Sequence, residues 1–157
     1  MPQFETTRRV PYSAAEMYAI AADVERYPEF LPLCTGLEIL TRTAVPDGED
    51  LTAKMTVGYK SMTESFSTSV HLRPSAKAID ARYLDGPFSK LENRWRFHDL
   101  ANGEVCNVNF FIAYEFRSPM LAILAGSVFD QAFRKFSEAF EMRARKIYGA
   151  RAVVSAV

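Results

Sequence analysis

The sequence is poor in the residues and patterns that many catalytic and metal sites need. Its 157 residues include two cysteines, Cys34 and Cys106, and two histidines, His71 and His98. We expect the two histidines at the surface. Neither pair has metal or redox spacing, and no histidine stands near Cys34 in sequence to activate it. A glycine-rich phosphate loop is also missing. We therefore expect no metal ion, no catalytic cofactor, no catalytic residues and two reduced thiols.

An excess of either charge is also missing. Lysine plus arginine and aspartate plus glutamate both number 19, so the formal net charge is zero. Broad binding of nucleic acid needs a basic surface, so we expect no DNA partner. One basic cluster remains near the C-terminus, and solvated surface, anionic lipid headgroups and ribosomal RNA are its alternative interpretations. Its members are Arg134, Lys135, Arg143, Arg145, Lys146 and Arg151.

Long apolar runs and targeting segments are missing as well. Residues 119–129 form the longest charge-free apolar stretch, which is too short to cross a bilayer. The N-terminus has neither the apolar core of a signal peptide nor the arginine-rich pattern of a transit peptide. These features predict a bacterial cytoplasmic protein with, at most, peripheral contact with the inner membrane. A mature organellar protein would show the same sequence features.

The most prominent feature that is present predicts one long C-terminal helix. Ser118 and Pro119 suit its start, Gly149 suits the position after its end, and no proline interrupts it. Such a helix of about 30 residues would be about 45 Å long. Two adjoining apolar rows run along it: Leu121, Leu124, Val128, Ala132, Phe136, Ala139, Arg143 and Ile147, and Phe129, Phe133, Phe136 and Phe140. Core packing and the lining of a ligand cavity are both compatible with this broad face.

Most of the remaining chain alternates with a period of two, which predicts antiparallel strands. A strand at residues 3–10 precedes two short helices, the first capped by Ser13 and the second near 24–31. Six further strands are predicted at about 36–45, 50–60, 62–73, 77–84, 91–97 and 104–117, with Asn102-Gly103 as the strongest turn signal. We expect one domain over residues 1–149 and a disordered tail at residues 150–157.

This order of elements predicts an α+β, helix-grip fold. A curved seven-stranded antiparallel sheet wraps around the C-terminal helix in the order β-α-α-β6-α. A helix cannot fill the whole trough of a curved sheet, so a cavity should remain between the two. We expect it to be lined by Phe30, Leu31, Met55, Glu64, Phe66, Thr68, Trp95, Phe110, Tyr114, Leu124, Val128, Phe129, Phe133 and Phe136.

Three of these residues are polar and fall on strand faces that are otherwise apolar. Glu64 is either a strand-end carboxylate that reaches water or a cavity group that bonds a ligand or an arginine. Thr68 and Tyr114 are either satisfied core residues or ligand contacts. No set of residues for general acid–base or nucleophilic catalysis accompanies them.

Four separated motifs resemble those of the coenzyme Q-binding proteins of the START-like superfamily. Residues 27–34 (YPEFLPLC) are similar to their Y-P-x-F-L-P-W-C stretch, with Leu33 where tryptophan is usual. Residues 85–88 (DGPF), followed by Leu91, Trp95 and Phe97, are similar to their D-G-P-F strand pair. Residues 114–119 (YEFRSP) and the helix end at 139–149 complete the resemblance. The motif residues that we single out are Tyr27, Pro28, Pro32, Cys34, Asp85, Gly86, Pro87 and Phe88.

The resemblance implies a helix-grip (START-like, Bet v 1-like) fold that binds ubiquinone or a related polyprenyl lipid in its apolar cavity. Such a protein acts as a carrier or chaperone that supports respiratory electron transport, without catalysing a reaction. Tyr114 or Thr68 would then orient the quinone head. The same family branch includes ribosome-association toxins that bind the large ribosomal subunit and inhibit translation, which is the second hypothesis. A polyketide cyclase or aromatase is the third, with Glu64 as its one candidate acid–base residue.

Overall fold

The computed structural model describes residues 2–152. β1 (Gln3–Val10) is followed by α1 (Ala14–Ala22) and by a 3₁₀ helix (Val24–Glu29). Six strands come next: β2 (Cys34–Val45), β3 (Gly48–Tyr59), β4 (Met62–Arg73), β5 (Ala78–Asp85), β6 (Phe88–Leu100) and β7 (Val105–Phe116). Two helices, α2 (Pro119–Arg134) and α3 (Phe136–Tyr148), end the described chain.

The seven strands form one antiparallel sheet in the order β1-β7-β6-β5-β4-β3-β2. Consecutive strands from β2 to β7 pair as neighbours, and β1 joins the far edge of β7, where Phe4 lies opposite Ile112. The inner faces are those that the alternation predicts. On β7, for example, the residues from Cys106 to Tyr114 at every second position are buried. The helix-grip fold and its seven-stranded sheet are therefore confirmed.

Local capping signals place the first helix as expected. The Ser13 hydroxyl accepts a hydrogen bond from the Glu16 amide (3.0 Å), and the Glu16 carboxylate accepts one from the Ser13 amide (2.9 Å). This reciprocal capping box satisfies two amide groups at the start of α1. The second predicted helix is shorter than the expected 24–31 and is a 3₁₀ helix, because Pro28 lies inside it and provides no amide donor.

The prediction of one uninterrupted C-terminal helix is wrong. Lys135 separates α2 from α3, and its amide donates to the Ala132 carbonyl (3.1 Å), a bond of the tighter 3₁₀ type. The α-helical pattern resumes at once, since the Ala139 amide donates to the Lys135 carbonyl (3.0 Å). Neither proline nor glycine marks this break, so the composition of the segment contains no signal for it.

Only the phenylalanine row is buried along its whole length on these helices. Phe129, Phe133, Phe136 and Phe140 are all buried, with Ala125, Ala132 and Ala144 beside them. The other row divides: Ala132 and Phe136 are buried, whereas Leu124 is 67% exposed and Ile147 is 51% exposed. The broad apolar face of the sequence is thus wider than the face that the sheet covers.

The last described residues are tied to the start of the chain. The Arg151 guanidinium bonds the Glu16 carboxylate (2.8 Å) and lies 4.9 Å from the centre of the Tyr12 ring. The Tyr12 hydroxyl donates to the Gly149 carbonyl (2.7 Å). Residues 150–152 form no helix or strand. The rest of the predicted disordered tail, residues 153–157, lies outside the described residues.

Candidate functional site

An apolar cavity of about 70 Å³ lies between the concave face of the sheet and the helices. Strands β2 to β7 form its floor, and Phe133 and Phe136, from α2 and α3, cover it. Val24 and Tyr27 of the 3₁₀ helix close one side. Its full lining is Val24, Tyr27, Leu37, Ala53, Met55, Phe66, Thr68, Val70, Ile79, Ala81, Leu91, Asn93, Trp95, Ile112, Phe133 and Phe136.

Besides the aromatic residues Tyr27 and Trp95, two polar side chains line this cavity. Thr68 on β4 is buried and brings a hydroxyl group. Asn93 on β6 is half-buried, and its amide nitrogen donates to the Phe111 carbonyl (2.9 Å), which fixes the orientation of the carboxamide. A hydroxyl and a carboxamide can both bond carbonyl oxygens, so the cavity offers specific contacts to an otherwise apolar molecule.

A narrow apolar slot lies near one end of the sheet, between the β3–β4 hairpin and α2. Val128 and Phe129 form one wall, and Tyr59 and Met62 flank the hairpin turn on the other. The complete lining is Leu33, Val57, Gly58, Tyr59, Met62, Glu64, Val128 and Phe129. Glu64 lines the slot and not the interior cavity, and its side chain is half-buried there.

The structure divides the residues that the sequence proposed for the cavity. It places Met55, Phe66, Thr68, Trp95, Phe133 and Phe136 in the cavity wall, and Glu64, Val128 and Phe129 in the slot. Phe110 and Tyr114 are buried but pack against other aromatic rings: Phe110 against Trp95 (4.5 Å between centroids) and Tyr114 against Phe133 (5.0 Å). Burial raises the pKa of Tyr114 to about 12, so its hydroxyl stays protonated at neutral pH.

Three other proposed residues also lie away from the cavity. Leu31 is buried in the neighbouring core. Phe30 lines an outer groove along α3, together with Pro32 and Met142. Leu124 is a correction, because it faces solvent on the outer side of α2. The helical spacing alone could not distinguish its row from the phenylalanine row.

Sequence reasoning missed the small and aliphatic residues that leave the space open. Ala53 and Ala81 stand on neighbouring inner strand faces, where larger side chains would fill the cavity. Asn93 was also missed, although it is a polar residue between Leu91 and Trp95 on an inward face. That alternation was the available signal, and it is the same signal that singled out Thr68.

The motif residues act mainly in the fold. Tyr27 is buried and its hydroxyl donates to the Ala21 carbonyl, while Pro28 and Pro32 are half-buried beside it. Phe88 is fully buried among Phe66, Tyr114 and Phe129. Asp85 is exposed, and Gly86 and Pro87 form the turn that brings Phe88 inward. Burial raises the pKa of the Cys34 thiol to about 11, well above the range of a reactive thiolate.

Half of the residues in the basic cluster near the C-terminus form ion pairs within the protein. Arg134 pairs with Asp130 (3.0 Å), Arg143 with Glu29 (2.7 Å) and Arg151 with Glu16. Within residues 2–152, no ion pair involves the other three members, which are Lys135, Arg145 and Lys146. Lys135 and Lys146 border the groove that Phe30 and Met142 line.

Two further properties concern metals and membranes. No group of three or more potential metal-ligating side chains is found among the described residues. Over the same part of the chain, every helix is too short or too polar to cross a bilayer.

A seven-stranded sheet gripping C-terminal helices around an apolar cavity defines the START-like, Bet v 1-like class of proteins. A START superfamily protein from Mycobacterium smegmatis has this fold, with a TM-score of 0.74 at 24% identity over 92% of this chain and 98% of its own. The profile of the family described as "Polyketide cyclase / dehydrase and lipid transport" matches residues 10–141. The chain belongs to this family.

Characterised relatives of the chain have names of two kinds. It is 37% identical to the ribosome association toxin RatA of Escherichia coli K12 over 96% of this chain and 92% of that protein. It is 29% identical to the mitochondrial coenzyme Q-binding protein COQ10 homolog B of Xenopus laevis over 94% of this chain and 59% of that protein. An 18 kDa protein from Caulobacter crescentus, solved in solution, is 34% identical and covers 96% of this chain and 100% of its own, with a TM-score of 0.75.

Proposed function

We propose that the protein binds ubiquinone or a related polyprenyl lipid in the interior cavity and acts as its carrier or chaperone in support of respiratory electron transport. The apolar cavity between the sheet and the helices is the observation that carries this proposal. An isoprenoid chain offers only apolar surface, and each Å² of it removed from water contributes about 25 cal/mol. The similarity to a coenzyme Q-binding protein supports the same ligand class.

The polar residues of the cavity would bond the quinone head. Its carbonyl oxygens are acceptors, and the Thr68 hydroxyl and the Asn93 amide are donors that line the cavity. Tyr114, the other residue expected to orient the head, lies behind Phe133 and outside the cavity lining. We therefore assign the head-binding role to Thr68 and Asn93.

The cavity must widen to accept such a ligand. Its volume of about 70 Å³ is smaller than the roughly 150 Å³ of an apolar cavity that holds benzene. We propose that α2 shifts relative to α3 at the break at Lys135, and that Phe133 on α2 moves with it. Met55 on the opposite wall is flexible enough to adjust its shape to the ligand.

Solvent extraction of the natively purified protein, followed by mass spectrometry, tests the proposal. We expect a quinone in the extract of the wild type and at least about tenfold less from Ala81→Phe, whose ring would occupy the cavity. Ala44→Phe is the matched control, because Ala44 is exposed on β2. An extract without quinone, together with no binding of added quinone by the folded wild type, would reject the proposal.

Ribosome association is the second candidate, because the chain is similar to RatA over nearly its whole length. Lys135 and Lys146, which form no ion pair within residues 2–152, border an outer groove and could contact ribosomal RNA. We expect a Lys135→Glu/Lys146→Glu double variant to lose co-sedimentation with ribosomes while keeping its quinone content. Equal co-sedimentation of the variant and the wild type would exclude these two residues from ribosome binding.

We propose no catalytic step. A cyclase would need an acid–base pair at the ligand, whereas the cavity is lined by Thr68, Asn93 and Tyr27, whose hydroxyl bonds the Ala21 carbonyl and whose pKa is raised by burial. Glu64, the one candidate, lies in the slot. We further propose a bacterial cytoplasmic location with peripheral contact with the inner membrane, where a polyprenyl quinone resides.

A further inference from the structure

The outer face of the first half of α2 is apolar and uncovered. Met120, Ile123 and Leu124 are 70%, 82% and 67% exposed, and their spacing puts them on one side of the helix. Residues 118–129 carry no charged side chain. The second half of α2 differs, because its outer side bears Gln131 and Arg134. Three large apolar side chains this exposed on one helix face are typical of an interaction surface.

This face lies at the end of the sheet where the slot is found. The β3–β4 hairpin turns there between Tyr59 and Met62, and the last residue of β7, Phe116, pairs with the first residue of β6, Phe88. Helix α2 starts three residues after Phe116 and forms the slot wall with Val128. The exposed apolar face and the slot therefore belong to one end of the molecule.

The hairpin beside the slot adds an aromatic residue and a lysine. Tyr59 is 41% exposed, and the Lys60 ammonium group lies 5.4 Å from the centre of its ring. Tyrosine rings at the level of the headgroups and lysines that extend toward water are typical of protein segments in a membrane interface. A protein partner would require no such combination.

We propose that this end of the molecule docks on a lipid bilayer, with Met120, Ile123 and Leu124 inserted among the acyl chains and Tyr59 at the headgroup level. The amphipathic α2 then lies in the plane of the interface. This inference rests on the proposed function, because a prenyl ligand that passes between the bilayer and a docked protein would avoid crossing water.

Apolar insertion, and not charge, would supply most of the binding. At this end the cations are balanced by carboxylates: Lys60, Lys90 and Arg117 against Glu64, Asp85 and Glu115. We therefore expect the protein to bind phosphatidylcholine vesicles nearly as well as vesicles that also contain phosphatidylglycerol. Raising the salt concentration should change binding by less than about threefold, because little of it depends on screened charges.

Flotation with quinone-free vesicles tests the proposal with an Ile123→Gln/Leu124→Gln variant. We expect its vesicle affinity to fall at least about tenfold, because two exposed apolar side chains no longer enter the acyl region. The matched control is Met142→Gln/Ile147→Gln, which changes two residues of similar exposure on α3 (63% and 51%) and should bind as the wild type does.

The outcomes separate this inference from the proposed function. Failure of the wild type to float, or equal binding by the α2 variant and the wild type, would overturn the inference and leave the quinone content of the protein as an independent result. Equal losses in both double variants would also overturn it. Loss of ribosome co-sedimentation by the α2 variant, with no flotation of the wild type, would assign the face to the ribosome instead.

Discussion

Gly86 occupies a turn in which a side chain has no room. Its φ of +140° lies in a region that other residues rarely adopt, and an added Cβ would lie 2.6 Å from the Phe66 Cβ and 3.0 Å from the Ser65 carbonyl oxygen. The turn directs Phe88 into the core, where it contacts Phe66 at 5.4 Å between ring centroids. A small residue in a surface turn thus fixes part of the core.

We expect Gly86→Ala to lower the free energy of unfolding by about 1–3 kcal/mol, because the alanine would introduce both backbone strain and steric overlap. Gly126→Ala is the matched control, because nothing lies within 4 Å of its added Cβ in the middle of α2. That change should raise the free energy of unfolding by up to about 1 kcal/mol. Urea unfolding of both variants measures the difference, and changes of the same sign would contradict the explanation.

The sequence predicted individual site residues with uneven success. The period-two pattern placed Met55, Phe66 and Thr68 on inward faces, and all three line the cavity. It could not separate them from Phe110 or Tyr114, which face the same way but are covered by other rings. A pattern of faces defines which side chains point inward, whereas a cavity depends on the positions where small residues leave space.

At the scale of the elements, α3 is held by an aromatic cluster. Phe140 is 1% exposed, and its ring centroid lies 4.6 Å from that of Trp95, 5.5 Å from Tyr27 and 5.1 Å from Phe30. Trp95 comes from β6, and Tyr27 and Phe30 come from the motif segment at residues 27–34, which begins inside the 3₁₀ helix. One side chain therefore joins three parts of the fold.

Phe140→Ala should lower the free energy of unfolding by about 3–5 kcal/mol, because it leaves a cavity among three aromatic rings. The control is Met142→Ala on the exposed side of the same helix, which should change the free energy of unfolding by less than about 0.5 kcal/mol. Chemical denaturation followed by circular dichroism measures both. A cost for Phe140→Ala no larger than that of the control would show that α3 is anchored elsewhere.

The strands were more predictable than the helices. Their alternation follows directly from one buried and one solvated face, and the predicted strand at 62–73 has the bounds of β4. The break at Lys135 lies instead between two helices whose phenylalanines pack against aromatic residues of the strands. Packing of this kind involves residues distant in sequence, so the local composition around Lys135 contains no sign of it.

At the scale of the whole molecule, ion pairs join the ends of the chain. Arg143 bonds Glu29, Arg151 bonds Glu16 and Arg8 bonds Glu141 (2.6 Å). The hydrogen bond from Arg143 lowers the pKa of Glu29 below its ordinary value of 4.5, and that from Arg151 does the same for Glu16. Both carboxylates are charged in the folded protein at neutral pH.

These lowered pKa values predict a loss of stability in acid. A carboxylate with a lowered pKa stabilises the fold fully above the ordinary value of 4.5, and its contribution is lost as the pH falls through the folded-state pKa. The melting temperature should therefore fall more steeply below pH 4.5 in the wild type than in a Glu16→Gln/Glu29→Gln variant. Glu104→Gln, at an exposed site, is the control and should follow the wild type.

The pairing of β1 with β7 has a consequence for synthesis on the ribosome. Gln3 pairs with Ala113 and Val10 pairs with Cys106. The partner of the first strand is therefore synthesised about 100 residues after it. At about 5–20 residues per second, the first strand spends roughly 5–20 s without its neighbour. The strands from β2 to β7 pair with neighbours that are consecutive in sequence, so we expect these hairpins to form during this time and the pairing with β1 to form last. A nascent chain stalled before β7 would therefore expose the edge of β6 and the apolar face of the sheet to the quality-control machinery of the cell.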